Sequence, residues 1–350
     1  MALSKQQNAA GDATLLIAGT SHTRLRLARP LNPIFRGPNG LRVGWRLLIF
    51  LALTGIPLVA LFAIAGVGGG QAEPITITPL LLGENDAILF LMLCIVTWIM
   101  AKIEHRRFSE YGLPARQALG KDFWVGSLCG FAAISGTLLT MFLLHGFRIT
   151  GLALHGTAIL SSLAGWSIAF LVVGLFEEFA FRGYLQFTLA SGIGFWPAAV
   201  LMSSLFGLLH LVADSNENVV GSASVVLFGL LLCFFVRRTG NLWCAVGFHF
   251  AYDWGQTFFY GVPDSGIVPY HNLFNSVLSG RRWLTGGTVG PEASVLTPIV
   301  LLVVALVFSR YYRENRYQAN KPVWSPVTSR VTSSLMLTRF SYPWSRSLPK

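Results

Sequence analysis

Residues 157–187 read TAILSSLAGWSIAFLVVGLFEEFAFRGYLQF: a long apolar run that passes without a turn into two adjacent glutamates and then an arginine. An apolar run of about 20 residues at 1.5 Å per residue crosses the ~30 Å hydrocarbon core of a bilayer. The segment 157–180 is therefore predicted to span a membrane, and its helical pattern extends to about residue 190. Blocks of similar length and composition occupy 45–66, 79–101, 123–146, 195–212, 219–236, 241–261 and 293–312. The fold class expected is all-α, a polytopic transmembrane bundle of about eight helices.

Composition agrees with that reading. The 350 residues are 53% hydrophobic and 12% charged, too few charges to cover a water-facing surface. No period of 20 to 50 residues repeats, which excludes a solenoid, and no inverted-repeat symmetry of the transporter kind is visible. The net charge of +11 does not point to nucleic acid, because the basic residues lie in the tails and at the ends of the apolar blocks. Cys94, Cys129, Cys233 and Cys244 all fall within those blocks without CxxC spacing and are read as packing residues.

Loop charges set the expected topology, since cytoplasmic loops are rich in Lys and Arg. Inside fall the tail 1–42, the segment 102–121, Arg237 with Arg238, and the tail 313–350, which is expected to be disordered. Outside fall Glu73, Glu84 and Asp86 in one loop, Asp214 and Glu217 in another, and the 262–292 loop despite Arg281 and Arg282. The chain thus divides into a basic tail (1–42), a membrane domain (43–312) and a second basic tail (313–350). The expected location is a bacterial inner membrane with both termini cytoplasmic.

Ionisable side chains within apolar helices cost a few kcal/mol each, which makes them functional candidates. Here they are Glu177, Glu178 and Arg182 in the first stretch, His210 in SSLFGLLHLV (203–212), and His249 with Asp253 in AVGFHFAYDW (245–254). Glu177 and Glu178 point about 100° apart on a helix, so they cannot share one target. Glu178 and Arg182, at i and i+4 with the acid first, are predicted to pair, leaving Glu177 free as the reactive carboxylate. Measured from the polar turn near 191–194, Glu177 and His210 lie at similar depth and can face each other. Asp253, one turn after His249, is placed to orient its imidazole. The bland alternatives are a histidine serving as an interhelical hydrogen-bond partner and a solvated Glu-Glu face. The remaining histidines, His22, His105, His145, His155 and His271, are read as surface residues.

The ordered set Glu177-Glu178-x-x-x-Arg182, Phe206-x-x-x-His210 and His249-x-x-x-Asp253 resembles the CAAX protease and bacteriocin-processing (CPBP, or Abi) family of intramembrane proteases. The likeness covers about residues 105–262 and includes Glu110-Tyr111-Gly112-Leu113 and the glycine-dotted helix at Gly126 and Gly130. It implies an intramembrane endopeptidase acting on a membrane-tethered or lipidated substrate within the lipid bilayer. In that picture Glu177 activates water, His210 assists, and the His249 motif stabilises the oxyanion. It leaves open a catalytic divalent metal such as zinc, with Glu177, His210 and His249 as candidate ligands. The family's third motif commonly ends in Asn rather than Asp253. Three arrangements reconcile the acid: a protonated Asp253, an imidazolium at His249, or an outer-shell role behind a metal-bound His249. The imidazolium, with its second nitrogen aimed at the oxyanion, is preferred. The reading from a different class is a transporter or an immunity or chaperone-type membrane protein using the same buried charges.

Overall fold

A computed structural model describes residues 35–37, 40–65, 78–213, 218–266, 268 and 270–317. The expected basic tails, apart from their inner edges, lie outside the described residues, as do the acidic positions Glu73, Asp214 and Glu217.

The apolar blocks form helices close to their sequence boundaries. After a minimal hairpin of β1 (Arg36–Gly37) and β2 (Gly40–Leu41) come α1 (Val43–Ala65), α2 (Pro79–Ile103) and α3 (Lys121–Leu143). Strand β3 (Phe147–Leu152) follows, then α4 (Thr157–Arg182), α5 (Tyr184–Ile193), α6 (Phe195–Ala213), α7 (Val219–Thr239) and α8 (Trp243–Trp254). A single π-helical turn, Gly255–Phe259, extends α8. Strand β4 (Phe274–Leu278), the short α9 (Arg282–Thr285) and α10 (Leu296–Tyr311) complete the described chain. The protein is mostly helical, as expected. The small antiparallel β3–β4 sheet was not foreseen, and it ties the α3–α4 connection to the α8–α10 connection, Phe147 opposite Leu278 and Leu152 opposite Phe274.

The helical bundle of about eight helices expected from the sequence is present. Among the described residues five helices are long and apolar enough to cross a bilayer: α2, α3, the α4–α5 rod Thr157–Ile193, α6 and α7. Val43–Val59 and Leu296–Tyr311 are shorter apolar helices. The expected span 241–261 is α8 with its π-helical turn, Trp243–Phe259, and ten of the twelve α8 residues are buried. It is apolar all round because protein surrounds it, which hydropathy alone cannot distinguish from lipid.

Glycines allow that enclosure. A Cβ at Gly126 or Gly130 of α3 would run into the carbonyl oxygens of Cys244 and Phe248 on α8, and one at Gly247 of α8 into that of Phe123 on α3. The two backbones touch directly, as small-xxx-small pairs permit in membrane bundles. The start of α8 is held by Leu242 N–H donating to the Gly112 carbonyl at 2.8 Å, in the Glu110–Leu113 stretch. A buried polar knot fixes the nearby ends of α1, α2 and α5. The Glu104 carboxylate accepts from Arg46 at 2.5 Å, from the Tyr111 hydroxyl at 2.8 Å, and from the Tyr184 hydroxyl.

Candidate active site

The two glutamates of α4 lie on different faces, as the 100° step requires. Glu178 is fully buried, and its Oε1 accepts from Arg182 Nη1 at 3.0 Å, the i,i+4 pair anticipated from the sequence. The same oxygen also meets His249 Nδ1 at 2.8 Å. Arg182 is equally buried, with Nε and Nη2 lacking hydrogen-bond partners. Its guanidinium instead lies 4.5 Å from the centre of the Phe206 ring, a cation–π contact that offsets part of the missing solvation. Gly229 leaves room for it, since a Cβ there would collide with Nη2.

His249 is the centre of the cluster. Its Nδ1 faces Glu178, and its Nε2 lies 3.2 Å from Asp253 Oδ2 and 3.4 Å from Glu177 Oε2. Carboxylates at both ring nitrogens can both accept a hydrogen bond only from the imidazolium. The aromatic edges of Phe206 and Phe228 close over the ring. Two expectations change. Glu177 is not free of partners, because it contacts His249, and the second nitrogen of His249 is occupied by Glu178 rather than left for an oxyanion.

His210, on α6, stacks edge-on against Phe206 and directs Nδ1 at the Phe206 carbonyl, 3.0 Å away. A carbonyl only accepts, so Nδ1 carries a proton, and Nε2 is the ring nitrogen left for other partners. Glu177, His210, His249 and Asp253 all line one cavity of about 200 Å³, with Phe170, Val173, Phe206 and Phe228 among its apolar walls. Glu178 and Arg182 stand behind it. His105, His145, His155 and His271 are exposed, as read from the sequence.

Three acids of that cavity were missed. Asp86 had been assigned, with Glu84, to an exported loop. Both lie on α2, and Asp86 lines the cavity. The signal was present, since the span 79–101 already enclosed both positions. Asp264 and Glu292 come from the 262–292 connection, where no periodicity marks them. Burial pushes the Glu292 carboxyl up to about 7 and pushes Asp264 up as well, and the nearby Asp253 charge adds to both shifts.

Among the described residues, the metal-ligating side chains whose ligand atoms lie within 4.8 Å of one another are Asp253, Asp264 and Glu292. Glu177, His210 and His249 do not form such a group. As arranged, the ligand atoms of Glu177, His210 and His249 are not all within 4.8 Å of one another, too far apart for one ion to bridge the three as a His₂Glu site.

No curated protein matches the chain. Residues 159–255, which hold Glu177, Glu178, Arg182, His210, His249 and Asp253, match the family described as type II CAAX prenyl endopeptidase, Rce1-like. The core of the chain therefore carries the Rce1-like domain, and the resemblance to the CAAX protease and bacteriocin-processing family holds.

Proposed function

We propose that the protein is an intramembrane endopeptidase that hydrolyses a peptide bond in a membrane-tethered substrate. The observation that carries this reading is the convergence of Glu177, His210, His249 and Asp253 on one cavity inside the bundle. Water held between Glu177 and His210 Nε2 loses a proton to the Glu177 carboxylate as its oxygen attacks the scissile carbonyl carbon. The carbonyl π pair moves onto oxygen, and the cationic His249, neighbour to Glu177, opposes the new negative charge. Collapse of the tetrahedral intermediate breaks the C–N bond, and the proton on Glu177 passes to the leaving amine. Glu178 and Asp253 hold His249 in its charged form and fixed orientation. No step requires a metal ligand set from these residues.

The test uses purified protein in detergent and a membrane-tethered peptide. Cleavage by the wild type and loss of cleavage in Glu177→Gln, with an unchanged melting profile, is the result expected. Equal cleavage by Glu177→Gln would remove the assignment.

A further inference from the structure

The cavity is unusually acidic. Asp86, Glu177, Asp253, Asp264 and Glu292 line it, opposed only by His210 and His249, and no Lys or Arg reaches it among the described residues. Carboxylates crowded in a low-dielectric site must either hold protons or share a cation. Three of them are arranged for the second.

We propose that Asp253, Asp264 and Glu292 form a binding site for a hard divalent cation, with calcium as the best fit. One ligand oxygen from each lies within 4.8 Å of those of the other two, no more than twice a Ca–O bond of about 2.4 Å. The protein positions each acid through one oxygen. Asp253 Oδ2 faces His249 Nε2 at 3.2 Å, Asp264 Oδ2 accepts from Thr257 Oγ1 at 2.9 Å, and Glu292 Oε2 accepts from Ser265 N–H and Oγ–H at 3.2 and 2.9 Å. Asp264 and Glu292 lie within hydrogen-bond reach of each other, close enough to share a proton where a cation would bridge them, and the second oxygen of Asp264 also meets the Gln256 amide at 3.5 Å.

A separate observation points to a missing partner. The Tyr252 side chain is 1% exposed, lines the same cavity and lies within electrostatic reach of all three acids, and its hydroxyl, which faces Thr297, has no partner at hydrogen-bond distance among the described residues. The Gln256 carboxamide, whose nitrogen touches Asp264, likewise has a buried oxygen with no partner. A hydrated cation supplies both kinds of contact, as oxygen ligands and bound waters complete a calcium shell. The all-oxygen donor set favours such a hard ion over zinc. Asp264 and Glu292 lie outside the matched residues 159–255, and Asp253 lies within them. Through Asp253 the cation would neutralise a carboxylate that contacts His249. Binding is read here without reference to peptidase activity, so the two proposals stand or fall separately.

The experiment takes the full chain in detergent at pH 8, stripped with chelator, and titrates calcium or magnesium while following the melting temperature and bound ion by equilibrium dialysis. The expected result is one calcium per chain and a rise of roughly 3–6 °C when calcium is in large excess over Kd. Magnesium should produce a clearly smaller rise. The Asp264→Asn/Glu292→Gln double variant should lose the rise while melting, without calcium, at or above the stripped wild type, because two repelling charges are gone. Should the double variant fail to fold, Glu292→Gln alone should weaken calcium at least tenfold. An absent rise, the same rise in the variants, or equal response to magnesium would overturn the calcium site.

Discussion

A single oxygen, Glu178 Oε1, serves two cations, Arg182 Nη1 and the ring of His249. Its loss is therefore unlike the loss of its neighbour. Glu178→Gln should leave two buried charges undercompensated and cost about 3–5 kcal/mol, visible as lower yield and melting temperature. Glu177→Gln and His210→Ala should each abolish cleavage while melting close to wild type. Equal stability losses in all three would show that the glutamates do not divide their work as described. At Asp253 the chemistry of acceptance decides. Asp253→Asn can still accept from His249 Nε2 and should stay within roughly tenfold of wild-type activity, whereas Asp253→Ala should lose roughly a hundredfold. Turnover measurements on the two variants separate positioning from charge. The sequence disclosed Glu177, Glu178, Arg182, His210, His249 and Asp253 because charges stand out against apolar helices. It concealed the contact between Glu178 and His249, because 71 residues separate them and only packing sets that distance.

Helices were legible where lipid or the core demands apolar length, and all eight expected blocks sit within a few residues of observed helices. In the block 241–261, a helix enclosed by protein carries the same composition as one facing lipid. What reveals the difference is the glycine pattern of α3 and α8, in which Gly126, Gly130 and Gly247 allow backbone contact. Gly130→Ala should push α8 away from α3, cost about 1–3 kcal/mol, and displace His249 enough to depress activity more than stability. Gly55→Ala on α1, where a Cβ meets nothing within 4 Å, is the control and should be neutral or slightly stabilising. Thermal melts and cleavage rates of the pair test the idea. An unaffected Gly130→Ala would show that α8 tolerates movement. The β3–β4 pairing was illegible for another reason: its strands are short, 147–152 alternating apolar and polar residues only over Phe147–Thr150 and 274–278 not alternating at all.

For the whole molecule, we propose from the distribution of Lys and Arg that both termini face the cytoplasm. A single cysteine introduced near position 330, in a background free of the four native cysteines, should resist an impermeant thiol reagent in intact cells and react after lysis. Labelling in intact cells would reverse the orientation. The order of the chain adds a consequence in time. Glu177, His210 and His249 are all synthesised before the wall contributed by Asp264, Ser265, Glu292 and Thr297 is complete, and before β4 can meet β3. At about 5–20 residues per second that interval lasts a few seconds. A nascent chain halted ahead of residue 290 would thus hold every motif residue while lacking Glu292 and Thr297, and its cavity would stand open on that side.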